Sequence, residues 1–254
     1  MIHFGCILML MTALLVRADS VADRLTAGGI AEFTAAYQAW DGARFETAAQ
    51  LFRQASTRTP ETAASFYWLG VAEFHRTLQL NTQPTNSAAA ARTLDTAVAD
   101  LNTALRLDST NPETHALLGT LYGMKINGNP LRAVWFGPRL VRHRARALEF
   151  GMDNPRVQYL LGMCQFHMAG KPEAWSEALA TLQRAEKLFN AESKSAPAPL
   201  APRWGHDSCL TFIGRTCESL GRRTEAVDYF HRALALHPGD SVALAGLERL
   251  RASK

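Results

Sequence analysis

The sequence predicts an all-α chain, an α-α superhelix of about five helix pairs with inserted loops, closed by a C-terminal capping helix. Three observations carry this. Ala and Leu are abundant, while Val and Ile are sparse beyond the first thirty residues, a balance that favours helix. A pattern of small and large residues recurs along the chain. The distance between its landmarks is constant at most joints.

The pattern is clearest near the C-terminus. Leu210, Ile213, Gly214 and Cys217 mark one helix, and Gly221 breaks it. Ala226, Phe230, Ala233 and Leu236 mark the next, which ends at His237-Pro238-Gly239. Gly70, Gly119 and Gly162 sit in similar first helices, and Ala48-Phe52-Ala55, Ala97-Leu101-Ala104 and Ala178-Leu182-Ala185 mark second helices. Ala55 to Gly70, Ala104 to Gly119 and Ala147 to Gly162 are each 15 residues. Small residues let paired helices approach, and the large ones fill the space between pairs. Asn111-Pro112 and Asn154-Pro155 read as helix starts. A last helix over Ser241 to Ala252, with Leu244, Leu247 and Leu250, should cap the open end.

These residues resemble the tetratricopeptide repeat. The likeness covers roughly residues 30–253, with repeats at about 30–60, 61–110, 111–153, 154–190 and 204–238. Gly214 to Pro238 is near a consensus repeat, and Ala36 to Pro60 is a weaker match that lacks the Leu-Gly pair. "YGMKI" at 122–126, Asn129-Pro130, Gly137-Pro138, "DNPR" at 153–156 and "WGH" at 204–206 also resemble a group of exported bacterial tetratricopeptide proteins with no assigned activity. In such solenoids the first helix of each repeat lines the concave face.

The departures from regularity are more informative about function. Gly214 to Ala233 spans 19 residues, against 34 for Gly70–Ala104, 28 for Gly119–Ala147 and 23 for Gly162–Ala185. The joint Ala185–Gly214 spans 29 residues instead of 15. The extra material falls at Leu80–Asn86, read as a longer turn, at Lys125–Pro138, and at the Pro-rich surface loop Asn190–Pro202. Insertions in repeat arrays often build the binding face.

Phe4 to Val16 is apolar and nearly uninterrupted, about 20 Å as a helix and too short for a bilayer core of about 30 Å. With cleavage candidates near residue 18 or 20, it reads as a signal peptide and places the protein in the periplasm or outside the cell. An uncleaved anchor and an ordinary helix are the alternatives. The net charge of +4 does not argue for nucleic acid. Beyond residue 20 only Cys164, Cys209 and Cys217 remain, so no disulfide framework is expected. Buried thiols are favoured over a Cys164–Cys217 bridge.

No histidine pair has metal-ligand spacing, and no phosphate-cradling glycine loop or nucleophile elbow occurs. The chain is therefore expected to be a non-enzymatic scaffold without cofactor or metal, binding a protein or peptide. Stepping off the glycine landmarks gives a groove of Tyr67, Val71, Phe74, Arg156, Tyr159, Met163, Phe166 and Arg215, unless the inserted loops fold over it. A second candidate is the basic, aromatic insertion with Tyr122, Lys125, Arg132, Trp135, Arg139, Arg142 and Arg146. It would receive an acidic segment or anionic lipid, unless Trp135 merely anchors it to the core. Asp207 is expected to cap the last repeat and Trp204 to staple the loop to the solenoid. The other readings are a membrane-tethered assembly factor and an enzyme using Cys164 or His206 under the loops.

Overall fold

The computed structural model describes residues 20–252 except residue 197; the apolar segment 4–16 and residues 17–19 lie outside the described residues, and Ser20, the end of the second cleavage candidate, caps the first helix. These residues form eleven α-helices and one short 3-10 turn, with no strand among them. The pairs are α1 (Val21–Ala39) with α2 (Gly42–Arg58), α3 (Ala63–Leu80) with α4 (Ser87–Leu107), and α5 (Pro112–Ile126) with α6 (Pro130–Gly151). They continue as α7 (Pro155–Met168) with α8 (Pro172–Glu192) and α9 (His206–Ser219) with α10 (Arg223–Leu236). The last helix, α11 (Ser241–Ala252), packs on α10 and α9.

The glycine landmarks are close-approach positions. A Cβ on Gly70 would overlap the Leu101 side chain of α4, and one on Gly162 would lie 2.7 Å from Leu182 of α8. Leu101, Leu182 and Phe230 are fully buried against these bare backbones. Asparagine caps start several helices. The Asn111 side chain accepts from the Thr114 N–H at 2.9 Å, and the Asn154 side chain accepts from the Arg156 N–H at 2.9 Å.

The insertions resolve differently from one another. At 81–86 the chain makes the expected longer turn between two long helices, with the 3-10 turn at Pro84–Asn86. At 125–138 the inserted segment is mostly helix. Asn127 and Gly128 turn the chain with φ of 43° and 70°, Asn129 caps α6, and α6 then runs straight through Pro138. Pro130 suits the first helical position, and Pro138 sits on the exposed face. At 190–202, α8 continues to Glu192 before the chain leaves helix. The cap also differs in register: α11 buries Ala243, Gly246 and Leu250, while Leu244 faces outward.

Replacing Gly70 by alanine should lower stability by about 1–3 kcal/mol, because its Cβ would overlap the side chain of the fully buried Leu101. A Cβ on Gly28, inside α1, would make only an ordinary contact with Leu51 at 3.8 Å, so Gly28→Ala should raise stability by up to about 1 kcal/mol. Urea unfolding of the two variants checks both signs.

Candidate functional site

The concave face is occupied by the chain itself. After α8, residues 193–196 and 198–205 leave the helical surface and cross the inner side as a strap. The Trp68 indole N–H donates to the Leu200 carbonyl at 3.0 Å. Arg203 ties the strap's base by donating to the Glu192 carbonyl at 2.7 Å. Trp204 ends the strap, is 5% exposed, and donates from its indole N–H to the Tyr67 hydroxyl at 3.2 Å. Its ring meets His75 edge-on at 5.2 Å and Tyr159 at 6.4 Å. Gly205, at φ 94°, then turns the chain into α9.

Below Trp204 lies a buried charge network. Tyr67 donates to Glu113, and Arg156 donates from Nε to the same carboxylate at 2.7 Å. The other end of the guanidinium forks onto Glu192 at 2.6 and 3.0 Å. Burial pulls the Arg156 pKa down, but Glu113 and Glu192 outweigh it and hold it above the ordinary value. Burial, reinforced by Glu113, raises the Tyr67 phenol well above its usual value. Glu113 was not anticipated, although the sequence held a signal for it. It follows Asn111 by two residues as Arg156 follows Asn154, which places opposite charges at equivalent sites of adjacent repeats.

The groove residues are therefore not an open surface. Tyr67, Arg156 and Tyr159 lie under or beside the strap and are buried, as is Met163 next to Tyr159; Val71 and Phe74 face the core. Of the eight, Phe166 and Arg215 keep partial exposure. The sequence alternative in which the insertion covers the aromatics describes the arrangement.

The two ends of the superhelix also meet. The Tyr37 hydroxyl of α1 donates to Asp207 of α9 at 3.1 Å and lies beside the Ser208 hydroxyl. His237, in the α10–α11 turn, faces Asp207 through Nδ1 and the Gln38 carbonyl through Nε2, both at 3.1 Å. Asp207 is thus not the helix cap; Gly205 occupies that position, and Asp207 joins the ends. Both partners of His237 are acceptors, so only the doubly protonated ring satisfies both. The bond to Asp207 raises the His237 pKa against the opposing effect of burial.

The basic insertion is a different kind of surface. Tyr122 is buried, stacked on Phe136 and His143. Lys125 pairs with Asp95 and lies 5.3 Å from the Phe136 ring centre. Those two residues are structural. Trp135 is 74% exposed and does not anchor anything to the core. Leu131, Val134 and Val141 are exposed with it at 78, 73 and 64%. Arg132, Arg139 and Arg146 recur every seventh residue along one flank, and Arg142 stands exposed between. Arg146 pairs with Glu149 at 2.8 Å.

Candidate chemistry elsewhere is dispersed. Cys164, Cys209 and Cys217 are free thiols. Burial raises the Cys164 pKa, and its neighbour is the Thr120 hydroxyl at 3.7 Å. His206 stacks on Phe189 at 5.1 Å. No metal-holding cluster of His, Cys, Asp and Glu occurs among the described residues.

The fold and this inner face define a helical-hairpin repeat solenoid that fills its own concave side. Residues 209–242 match the family model of the tetratricopeptide repeat, and the helix pairs of the whole chain follow that repeat's fold. The fold is similar to that of a thermophilic tetratricopeptide protein from Thermus thermophilus, with a TM-score of 0.60 at 15% identity over 91% of this chain and 97% of that one. It is similar to the HusA haemophore from Porphyromonas gingivalis, with a TM-score of 0.60 at 19% identity over 78% and 92%. A chain of the APC/C assembly Cut9-Hcn1 gives 0.62 at 16% identity, with 91% of this chain covering 36% of that one. At these identities the likeness is one of fold. No curated protein sequence matches the chain.

Two consequences can be measured. Trp204→Ala should cost about 3–5 kcal/mol in urea unfolding, because it empties a buried site and leaves the strap without its anchor. The His237 contact is stabilising below about pH 6.5, the unfolded-state value, and is lost as pH rises through the raised folded-state value. Hydrogen exchange at α1 should therefore speed up, relative to the centre of the chain, as pH rises above about 6.5. His237→Gln should remove that pH dependence.

Proposed function

We propose that the chain is an exported, non-catalytic scaffold that docks an acidic amphipathic segment of a partner protein on the outer face of α6. The observation that carries this reading is the exposure of Leu131, Val134, Trp135 and Val141 on one helix face, in a repeat protein whose concave groove is filled. Contiguous exposed apolar side chains are uncommon on a soluble surface and mark interaction sites. α6 carries five arginines and one glutamate, so an acidic partner complements it and a second copy of the same helix is repelled. The tetratricopeptide fold supports an interaction role, and the apolar stretch 4–16 with its cleavage candidates supports export.

The row of arginines beside Trp135 also favours a second reading, peripheral contact with an anionic membrane. No helix among the described residues is long and apolar enough to cross a membrane. Capture experiments on the envelope fraction with the full chain should retain a partner. The Leu131→Ser, Trp135→Ser double variant should reduce its recovery roughly tenfold, as loss of a central anchor does. Phe166→Ala should leave recovery unchanged. Undiminished capture by the double variant removes α6 from the interface. Sedimentation with phosphatidylglycerol vesicles in place of protein capture assigns the surface to lipid. A mature N-terminus at Asp19 or Val21 supports export with cleavage; an intact Met1 opposes it.

A further inference from the structure

We propose that the cavity where the last repeat meets the first binds a monocarboxylate carried on an aromatic or other bulky apolar group. The cavity measures about 310 Å³ and lies among α1, α3, α7, α9 and the α10–α11 turn. That size is at the lower end for small-ligand sites, roughly 300–1,000 Å³. Trp40, Leu78, Met163 and Phe212 supply apolar walls, and the exposed His167 stands at the rim.

Two cationic side chains line this cavity: His237 is paired with Asp207, and Arg215 carries the other charge. Its guanidinium lies 4.7 Å from the Phe166 ring centre and 5.0 Å from that of Phe212. Burial removes part of its water and lowers its pKa, yet no carboxylate is paired with it among the described residues. The two carboxylates whose fields reach it are engaged elsewhere. Glu218 is held by the fork of Arg249 at 2.8 and 3.0 Å. Asp240 accepts from Thr211 and from the N–H groups of Val242 and Ala243 at the start of α11. Arg156, the other arginine of the inner face, is saturated by two carboxylates. Arg215 instead lies over two neighbouring rings, and no ion pair among the described residues takes up its planar fork of N–H donors. That geometry matches a carboxylate.

The occupant's charge and shape follow from the lining. Asp240 lines the same cavity, so a dianion such as phosphate meets about twice the repulsion that a single negative charge does. The walls suit a ring or a branched apolar group. Such a ligand can be a free acid or the last residue of a chain. The site is separate from the α6 surface, so each can fail without the other.

The test is calorimetric titration of the full chain with N-acetyl-phenylalanine and with N-acetyl-phenylalanine amide. The acid should bind at least roughly tenfold more tightly than the amide, the magnitude of one charge-assisted contact. Arg215→Met should abolish that discrimination, and Arg249→Met should keep it. The peptide Ala-Ala-Ala-Phe binding more tightly than N-acetyl-phenylalanine supports a chain terminus as the source; equal or weaker binding supports a free acid. Failure of the acid to bind, equal binding of acid and amide, or unchanged discrimination in a folded Arg215→Met chain overturns the assignment. If Arg215→Met does not fold by circular dichroism, the wild-type acid-to-amide ratio and the Phe212→Ala variant, which should weaken binding of the acid, decide.

Discussion

The buried guanidinium of Arg156 is the constraint around which the inner face is built. A charge this deep is tolerated only when its donors are satisfied, and Glu113 and Glu192 do so from two other helices. Glu113 then fixes the Tyr67 hydroxyl, and that hydroxyl receives the indole of Trp204. One side chain on α7 thereby sets the positions of α3, α5, the end of α8 and the strap. The specificity is directional, since a hydrophobic replacement could fill the volume without dictating where Trp204 must sit.

The strap alters what a tetratricopeptide solenoid ordinarily offers. The concave face exists, and the first helices line it, but its centre is filled by Trp204 and flanked by Tyr159 and His75. Burial pushes His75 down to about 4, so it stays neutral against these rings at ordinary pH. What remains accessible is displaced to two places: the ridge of α6 outside, and the cavity at the joint between the ends. Their chemistries differ, one apolar with a row of arginines and the other aromatic around a single arginine.

The helix pairing was legible because close packing restricts residue type. Only a residue without Cβ fits where Gly70 meets Leu101, so the glycines could be read as contacts. The Asn-Pro starts were legible for the same local reason. The fate of each insertion was not, because spacing reports how many residues are added and not where they go. The segment 125–138 holds Gly137 and Pro138, yet Pro138 lies on the exposed face of α6, and the helix continues past it. Trp204 was recognisable as a staple, but its target depended on the distant Tyr67. The Tyr37–Asp207–His237 contact was invisible, because it follows from the pitch of the whole superhelix and from no local pattern.

That contact between the ends has a consequence for how the molecule comes apart. Linear repeat arrays behave as near one-dimensional chains, in which terminal units fray and each repeat answers only to its neighbours. Here residues 170 positions apart hold each other, and the strap ties α3 to the far side of α8. Loss of the first repeat therefore exposes the last one. The array is closed into a ring of dependencies, with cooperativity closer to that of a globular domain than of an extendable solenoid, and a repeat could not be inserted without breaking the joint.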